Sequence, residues 1–150
     1  MASDQAKVST AMKARILLVD DEAQIVELGK QIMKRLGYRV TSLTNSTKAL
    51  EMFRENPQNF DLIITDQTMP NMTGAELATE VLKRRPALPV ILCTGFSEAL
   101  SPEAAADIGI RHYLQKPVSL KALARTVRLV LNEAFDGVDS SLGRRKAAAS

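Results

Sequence analysis

Tryptophan is missing from this 150-residue chain, cysteine and histidine each occur once, and aromatic residues make up only 4% of it. The lone cysteine, Cys93, excludes a disulfide framework and any paired-cysteine metal or redox motif. Together with the lone His112 it leaves no ligand set for structural zinc. No apolar run approaches the roughly 18 residues that span a bilayer, and the opening stretch MASDQAKVSTAMKAR carries no hydrophobic signal core. Neither export by that route nor membrane insertion is expected, and a reducing cytoplasm is the expected compartment. Excess charge is also scarce, since 20 basic and 17 acidic residues leave a net +3. The cluster Arg144-Arg145-Lys146 can neutralise few phosphates, so nucleic acid is not an expected partner.

The chain does hold enough apolar material for one core. It is 45% hydrophobic and 25% charged, the profile of a single globular domain, and a domain of this size buries about 70% of the surface its unfolded chain exposes. Residues 1–14 read as a flexible N-terminal segment, 15–132 as the domain, and 133–150 as a polar, Ser/Gly/Ala-containing tail expected to be disordered.

Short runs rich in branched residues recur through the domain: Ile16-Leu17-Leu18-Val19, Tyr38-Arg39-Val40, Leu62-Ile63-Ile64, Val90-Ile91-Leu92 and Tyr113-Leu114. Between them lie segments of helical period: Ile25, Leu28, Ile32 and Leu36; Ala49, Leu50 and Phe53; Leu77, Val81 and Leu82; and finally Leu120, Leu123, Val127, Val130 and Leu131. Thr73-Gly74-Ala75-Glu76 spells a capping box, Ser101-Pro102 an N-cap with proline at the first helical position, and Ser119 a further cap. Gly37 and Gly109 stand where helix ends want a left-handed residue. Strand alternates with helix, giving (βα)₅, too few units for an eight-fold barrel. The expected fold is α/β: an open five-stranded parallel sheet of order 2-1-3-4-5, flavodoxin-like, with helices on both faces.

Such a sheet gathers its functional residues at the carboxyl ends of its strands. Strand one runs into Asp20-Asp21, strand three ends in Asp66, strand four runs into Thr94-Gly95, and strand five leads to Lys116-Pro117. A single Asp after a strand is ordinarily a turn former, and a single Lys or Thr a surface residue. Their joint placement is the signal, because carboxylates packed together repel, whereas a divalent cation neutralises them. Magnesium, with its preference for one or two carboxylates, a carbonyl and waters, suits such an edge.

With these motifs in order, residues 15–132 resemble the receiver domain of bacterial two-component response regulators. The resemblance rests on Asp20-Asp21, on Asp66 followed by Met69-Pro70 and Gly74, on Thr94-Gly95 and on Lys116-Pro117. It implies that Asp66 accepts a phosphoryl group from a phosphohistidine of a sensor histidine kinase or histidine phosphotransfer protein. It also implies that Asp21, Asp66 and the Thr68 carbonyl ligate Mg2+, that Asp20 assists through water, and that the Lys116–Pro117 bond can be cis. Lys116 and the Thr94 hydroxyl would neutralise the remaining phosphoryl oxygens, and Gly95 would leave the approach to Asp66 open. Thr94 and Tyr113 match the family's switch pair, read out by a downstream protein target on the surface of the last two helices and strand five. A phosphorylation-dependent dimer is a further expected form. Such a domain is no enzyme in the ordinary sense, although it assists its own aspartyl phosphorylation and dephosphorylation. His112, next to Tyr113 on an alternating strand, is expected to be structural.

Other readings of the topology fit less well. A nucleotide carrier needs a glycine-rich loop after strand one, where this chain has Asp20-Asp21-Glu22. A phosphatase of the haloacid dehalogenase kind pairs its nucleophile with an Asp two residues on, where Thr68 stands. The alternative that remains is a receiver-like interaction module that is not phosphorylated. No DNA-binding domain is expected, so output passes through protein contacts or the receiver is part of a hybrid kinase. The resemblance also implies that the side chains two positions after Asp66 and two after Thr94, here Thr68 and Phe96, flank the path of the hydrolysing water; neither is an acid or amide that orients water well, so a long-lived phosphoryl group is expected. Replacing Asp21 with Asn is expected to abolish phosphorylation and to raise the melting temperature of the metal-free protein.

Overall fold

The structure, a computed structural model, describes residues 14–95 and 100–139. Its elements are β1 (Arg15–Val19), α1 (Ala23–Arg35), β2 (Arg39–Leu43), α2 (Ser46–Glu55), β3 (Leu62–Asp66), α3 (Gly74–Arg84), β4 (Val90–Thr94), α4 (Pro102–Ile108), β5 (His112–Gln115) and α5 (Leu120–Asp139). A 3₁₀ turn over Pro57–Asn59 has no counterpart in the apolar periodicity. All strand pairs are parallel, in the order β2-β1-β3-β4-β5.

Strand side chains alternate between two layers, and this alternation divides the core. Leu17, Val19, Ile63, Val90 and Leu92 pack with Leu50, Phe53, Leu77, Val81 and Ala105 of α2, α3 and α4. Ile16, Leu18, Leu62, Ile64 and Ile91 pack with Met33 of α1 and Leu123, Val127, Val130 and Leu131 of α5. The central strands are apolar on both faces because both faces are covered.

The punctuation works as read. Thr73 Oγ1 accepts from the Glu76 N–H (3.1 Å) while the Glu76 carboxylate accepts from the Thr73 N–H (3.0 Å). Ser101 and Ser119 cap α4 and α5 through the N–H groups of Ala104 and Ala122. Gly37 and Gly109 adopt φ of 98° and 106°.

Three expectations shift. The buried stripe of α1 is Val26, Gly29 and Met33, whereas Ile25 and Leu28 are 45% and 48% exposed. Helix α5 continues to Asp139, beyond the expected boundary at 132, because Phe135 packs against the α1/α5 layer and prolongs its apolar stripe. Ala14, placed with the N-terminal segment, is 1% exposed and its carbonyl accepts from the Arg39 N–H (2.9 Å), so order begins at least one residue earlier. The remainder of the expected N-terminal segment, and the tail from 140 on, lie outside the described residues.

Candidate functional site

The carboxyl ends of β1, β3 and β4 lie side by side in the sheet, and the acidic residues meet there. The Asp20 N–H donates to the Leu43 carbonyl (3.2 Å), continuing the ladder between β1 and β2. Its side chain turns back to accept from the Glu22 N–H (3.0 Å). Asp66 closes β3 opposite Cys93 and is buried, as is Asp20, whereas Asp21 is exposed. One carboxylate oxygen from each of Asp20, Asp21 and Asp66 lies within 4.8 Å of the others.

Lys116 reaches this cluster from the segment after β5. Its N–H donates to the Thr94 carbonyl (2.7 Å), and the following bond to Pro117 is cis. The ammonium lies 2.5 Å from Asp66 Oδ1 and 3.8 Å from Asp20 Oδ2. Burial by itself lowers the Lys116 pKa, but the hydrogen bond it donates to Asp66 and the charges of Asp66 and Asp20 outweigh it and hold the group above its ordinary value. Asp20 is pushed up to about 6, chiefly by burial; the Glu22 N–H opposes the rise, and the charges of Asp66 and Asp21 add to it. The cluster therefore holds more negative charge than one lysine balances, and its donors are all oxygen, the chemistry a hard divalent cation takes.

The other expected site residues occupy distinct places. Thr94 is fully buried and has the strand parity of Val90 and Leu92, toward α2, α3 and α4. Tyr113 packs on that same layer, and its hydroxyl donates to the Leu100 carbonyl (2.9 Å). His112 lies on the opposite side, its Nε2 3.7 Å from Glu133 of α5, a contact that ties strand to helix. Thr68 is exposed in the loop after β3, next to the buried Met69. Phe96 lies outside the described residues.

Two further residues shape the site. A Cβ on Gly74 would stand 2.2 Å from the Asp66 carbonyl oxygen, so glycine here lets the start of α3 press against the main chain of Asp66. Gln67 accepts from the Gly74 N–H with its main-chain oxygen (2.9 Å) and from the Ala75 N–H with its side-chain oxygen (2.8 Å). Gly74 belongs to the sequence motif, and this close approach is its reason; Gln67 lies outside the motif, because a glutamine after a strand has no distinctive pattern. Beside the cluster, an apolar groove of about 470 Å³ opens between α1 and α5, lined by Ile25, Gly29, Ile64, Cys93, Gly95 and Leu120 among others.

A parallel sheet of this order is the CheY-like flavodoxin fold, and this one carries an acidic trio and a lysine at its carboxyl edge. Comparison with known proteins makes the assignment narrower. The chain belongs to the response regulator receiver domain family, whose profile matches residues 16–128. It is 34% identical over 122 residues to the two-component response regulator ARR12 of Arabidopsis thaliana, covering 81% of this chain and 20% of that protein. It is 33% identical over 138 residues to the sensor kinase CckA of Brucella abortus, covering 89% of this chain and 14% of that one. A CheY-like receiver domain protein from Methanospirillum hungatei superposes with a TM-score of 0.76 at 31% identity, over 83% of this chain and 98% of that one. The chain thus spans only a small part of the curated regulator and kinase it resembles.

Proposed function

We propose that this receiver domain is a phosphoacceptor in which Asp66 takes a phosphoryl group from a phosphohistidine of a sensor kinase or histidine phosphotransfer protein. The observation that carries the reading is the convergence of Asp20, Asp21 and Asp66 with the Lys116 ammonium on Asp66. The residues suit Mg2+: Asp21, Asp66 and the Thr68 carbonyl would hold it, with Asp20 helping through water. When bound, the ion supplies charge neutralisation at one oxygen of the phosphoryl group.

The chain's own groups account for the rest. An ionised oxygen of Asp66 attacks phosphorus; the donor's P–N bond breaks, and its electron pair stays on the imidazole nitrogen. Lys116 neutralises a second phosphoryl oxygen, and the Thr94 hydroxyl with a backbone N–H a third. No general base is required, because the attacking group is a carboxylate oxygen that has no proton to give up. Ile25, Leu28 and Leu120, three of the four large apolar side chains exposed on the described surface, are carried by the two helices that flank the groove beside Asp66. They support docking of the donor there. Drawing Thr94 toward a phosphoryl group would unsettle the layer that Tyr113 shares, which offers a route to a downstream protein. Among the described residues no helix is long and apolar enough to cross a membrane.

Incubation with a small phosphodonor and Mg2+, followed by intact-mass measurement, is expected to add one phosphoryl group to the wild type and none to Asp66→Asn. An adduct that persists in Asp66→Asn refutes the assignment. A wild type that takes up neither phosphoryl nor beryllofluoride is an interaction module instead.

A further inference from the structure

The first N–H groups of a helix need partners from outside its own ladder, and α3 finds all of them within the chain. Thr73 donates to the Glu76 carboxylate (3.0 Å), Gly74 to the Gln67 carbonyl (2.9 Å), Ala75 to Gln67 Oε1 (2.8 Å) and Glu76 to Thr73 Oγ1 (3.1 Å). Two of these donors end on one residue, and that residue directly follows Asp66. The Gln67 N–H donates in turn to the Cys93 carbonyl (2.9 Å), so Gln67 is tied to β4 on one side and to the first turn of α3 on the other. Residues 68–73 span the interval as a closed loop, held further by Ser46 Oγ on the Met72 carbonyl (2.8 Å).

The Thr73–Glu76 box serves the Thr73 and Glu76 N–H groups, and Gln67 serves the two donors between them, although ordering a long glutamine side chain costs rotamer entropy. What the side chain adds is a rigid link between the residue after Asp66 and the helix that Gly74 presses against Asp66. We propose that Gln67 is a positioning residue: its side-chain bond to Ala75 fixes the start of the loop and so sets where the Thr68 carbonyl lies relative to Asp20, Asp21 and Asp66. The proposal rests on the reading of this site as a Mg2+-assisted phosphoacceptor. Partners that orient ligands in this way are commonly worth about 10- to 100-fold in metal affinity.

The test is the dissociation constant for Mg2+ alone, read from amide NMR shifts in the full chain. Gln67→Met, similar in length but with no oxygen acceptor, is expected to bind Mg2+ about tenfold more weakly, with loss of the hydrogen-bonded shift of the Ala75 amide. Gln67→Ala, which adds no apolar bulk, is expected to show the same change. Gln67→Glu retains an acceptor oxygen and is expected to keep the Ala75 shift and to bind Mg2+ no more weakly than wild type. Thr73→Ala removes a cap from the same helix end and serves as the structural control, with a lowered melting temperature but Mg2+ affinity within about twofold of wild type. Equal loss of Mg2+ affinity in Gln67→Met and Thr73→Ala, or none in Gln67→Met, overturns the positioning role. Failure of the wild type itself to bind Mg2+ or to be phosphorylated overturns the underlying reading, a result the variants cannot mimic.

Discussion

Replacing Asp20 with asparagine isolates the electrostatic cost of building the acidic cluster without a metal. The Asp20 side chain is 8% exposed and titrates near 6 in the fold, against 3.8 for the ordinary residue. A carboxyl whose pKa is raised by folding holds its proton more tightly in the native state. Its contribution to stability therefore falls as pH rises from 3.8 to about 6, and the full penalty stands above that range. At about 1.4 kcal/mol per pH unit the gap amounts to about 3 kcal/mol at neutral pH. Asparagine keeps an oxygen for the Glu22 N–H and removes the charge. The attraction of Lys116 at 3.8 Å is already contained in this net rise, and Lys116 retains Asp66 at 2.5 Å, so the gain is about 3 kcal/mol, or about 6–12 °C in melting temperature for a chain of this size. Thermal melts in EDTA at pH 7.5 and pH 4.5 test this, with the advantage of Asp20→Asn expected to shrink at the lower pH. Saturating Mg2+ at a hundredfold its Kd is expected to return about 2.7 kcal/mol to the wild type and less to the variant. An Asp20→Asn protein that melts below wild type in EDTA at pH 7.5, or a gap unchanged between the two pH values, refutes the reasoning. Asp21, being exposed, is expected to give little stabilisation when replaced, so the gain the sequence assigned to Asp21→Asn moves to Asp20.

Gly74→Ala forces a Cβ to within 2.2 Å of the Asp66 carbonyl oxygen; main chain cannot yield as a side chain does, and a loss of about 3 kcal/mol is expected in a denaturant melt. Lys116→Met takes the ammonium away from a carboxylate that is 3% exposed. Because the lysine is itself 28% exposed, the cost is expected to be about 2 kcal/mol, below the 3–5 kcal/mol of a fully buried pair, and phosphorylation by a small donor is expected to slow at least about tenfold. Thr68→Asn and Phe96→Glu are expected to shorten the lifetime of the phosphorylated form, followed by mass spectrometry, because both supply a group that orients water; lifetimes no shorter than wild type in both variants place water control elsewhere.

The chemistry at the strand ends was legible because each polar residue interrupts an apolar run. Asp20, Asp66, Thr94 and Lys116 stand out against Leu-Leu-Val, Ile-Ile-Thr, Ile-Leu-Cys and Tyr-Leu-Gln. The strand order followed from counting units, since five βα repeats with right-handed crossovers leave few alternatives. The face of α1 was harder to read. Ile25 and Leu28 have the period of a buried stripe, yet the helix turns Val26, Gly29 and Met33 inward and leaves those two at the groove. A functional surface and a core face use the same apolar residues, so periodicity alone does not separate them. Gln67 was invisible for a different reason. Its role depends on a hydrogen bond that its side-chain oxygen accepts from the Ala75 N–H across the loop, and no property of glutamine in the sequence announces that partner. The extension of α5 turns on one side chain, Phe135, meeting the core.

The alternation of strand side chains between two layers has a consequence for traffic through the molecule. Asp66 has the parity of Leu62 and Ile64, on the α1/α5 side, while Thr94 and Tyr113 have the parity of Leu92, on the side of α2, α3 and α4. The sheet is therefore a partition with a doorway at one edge. On the proposed reading, a molecule delivering phosphate stands in one room and a molecule sensing it stands in the other. A change of one residue in the register of either strand would put Asp66 and Thr94 in the same room.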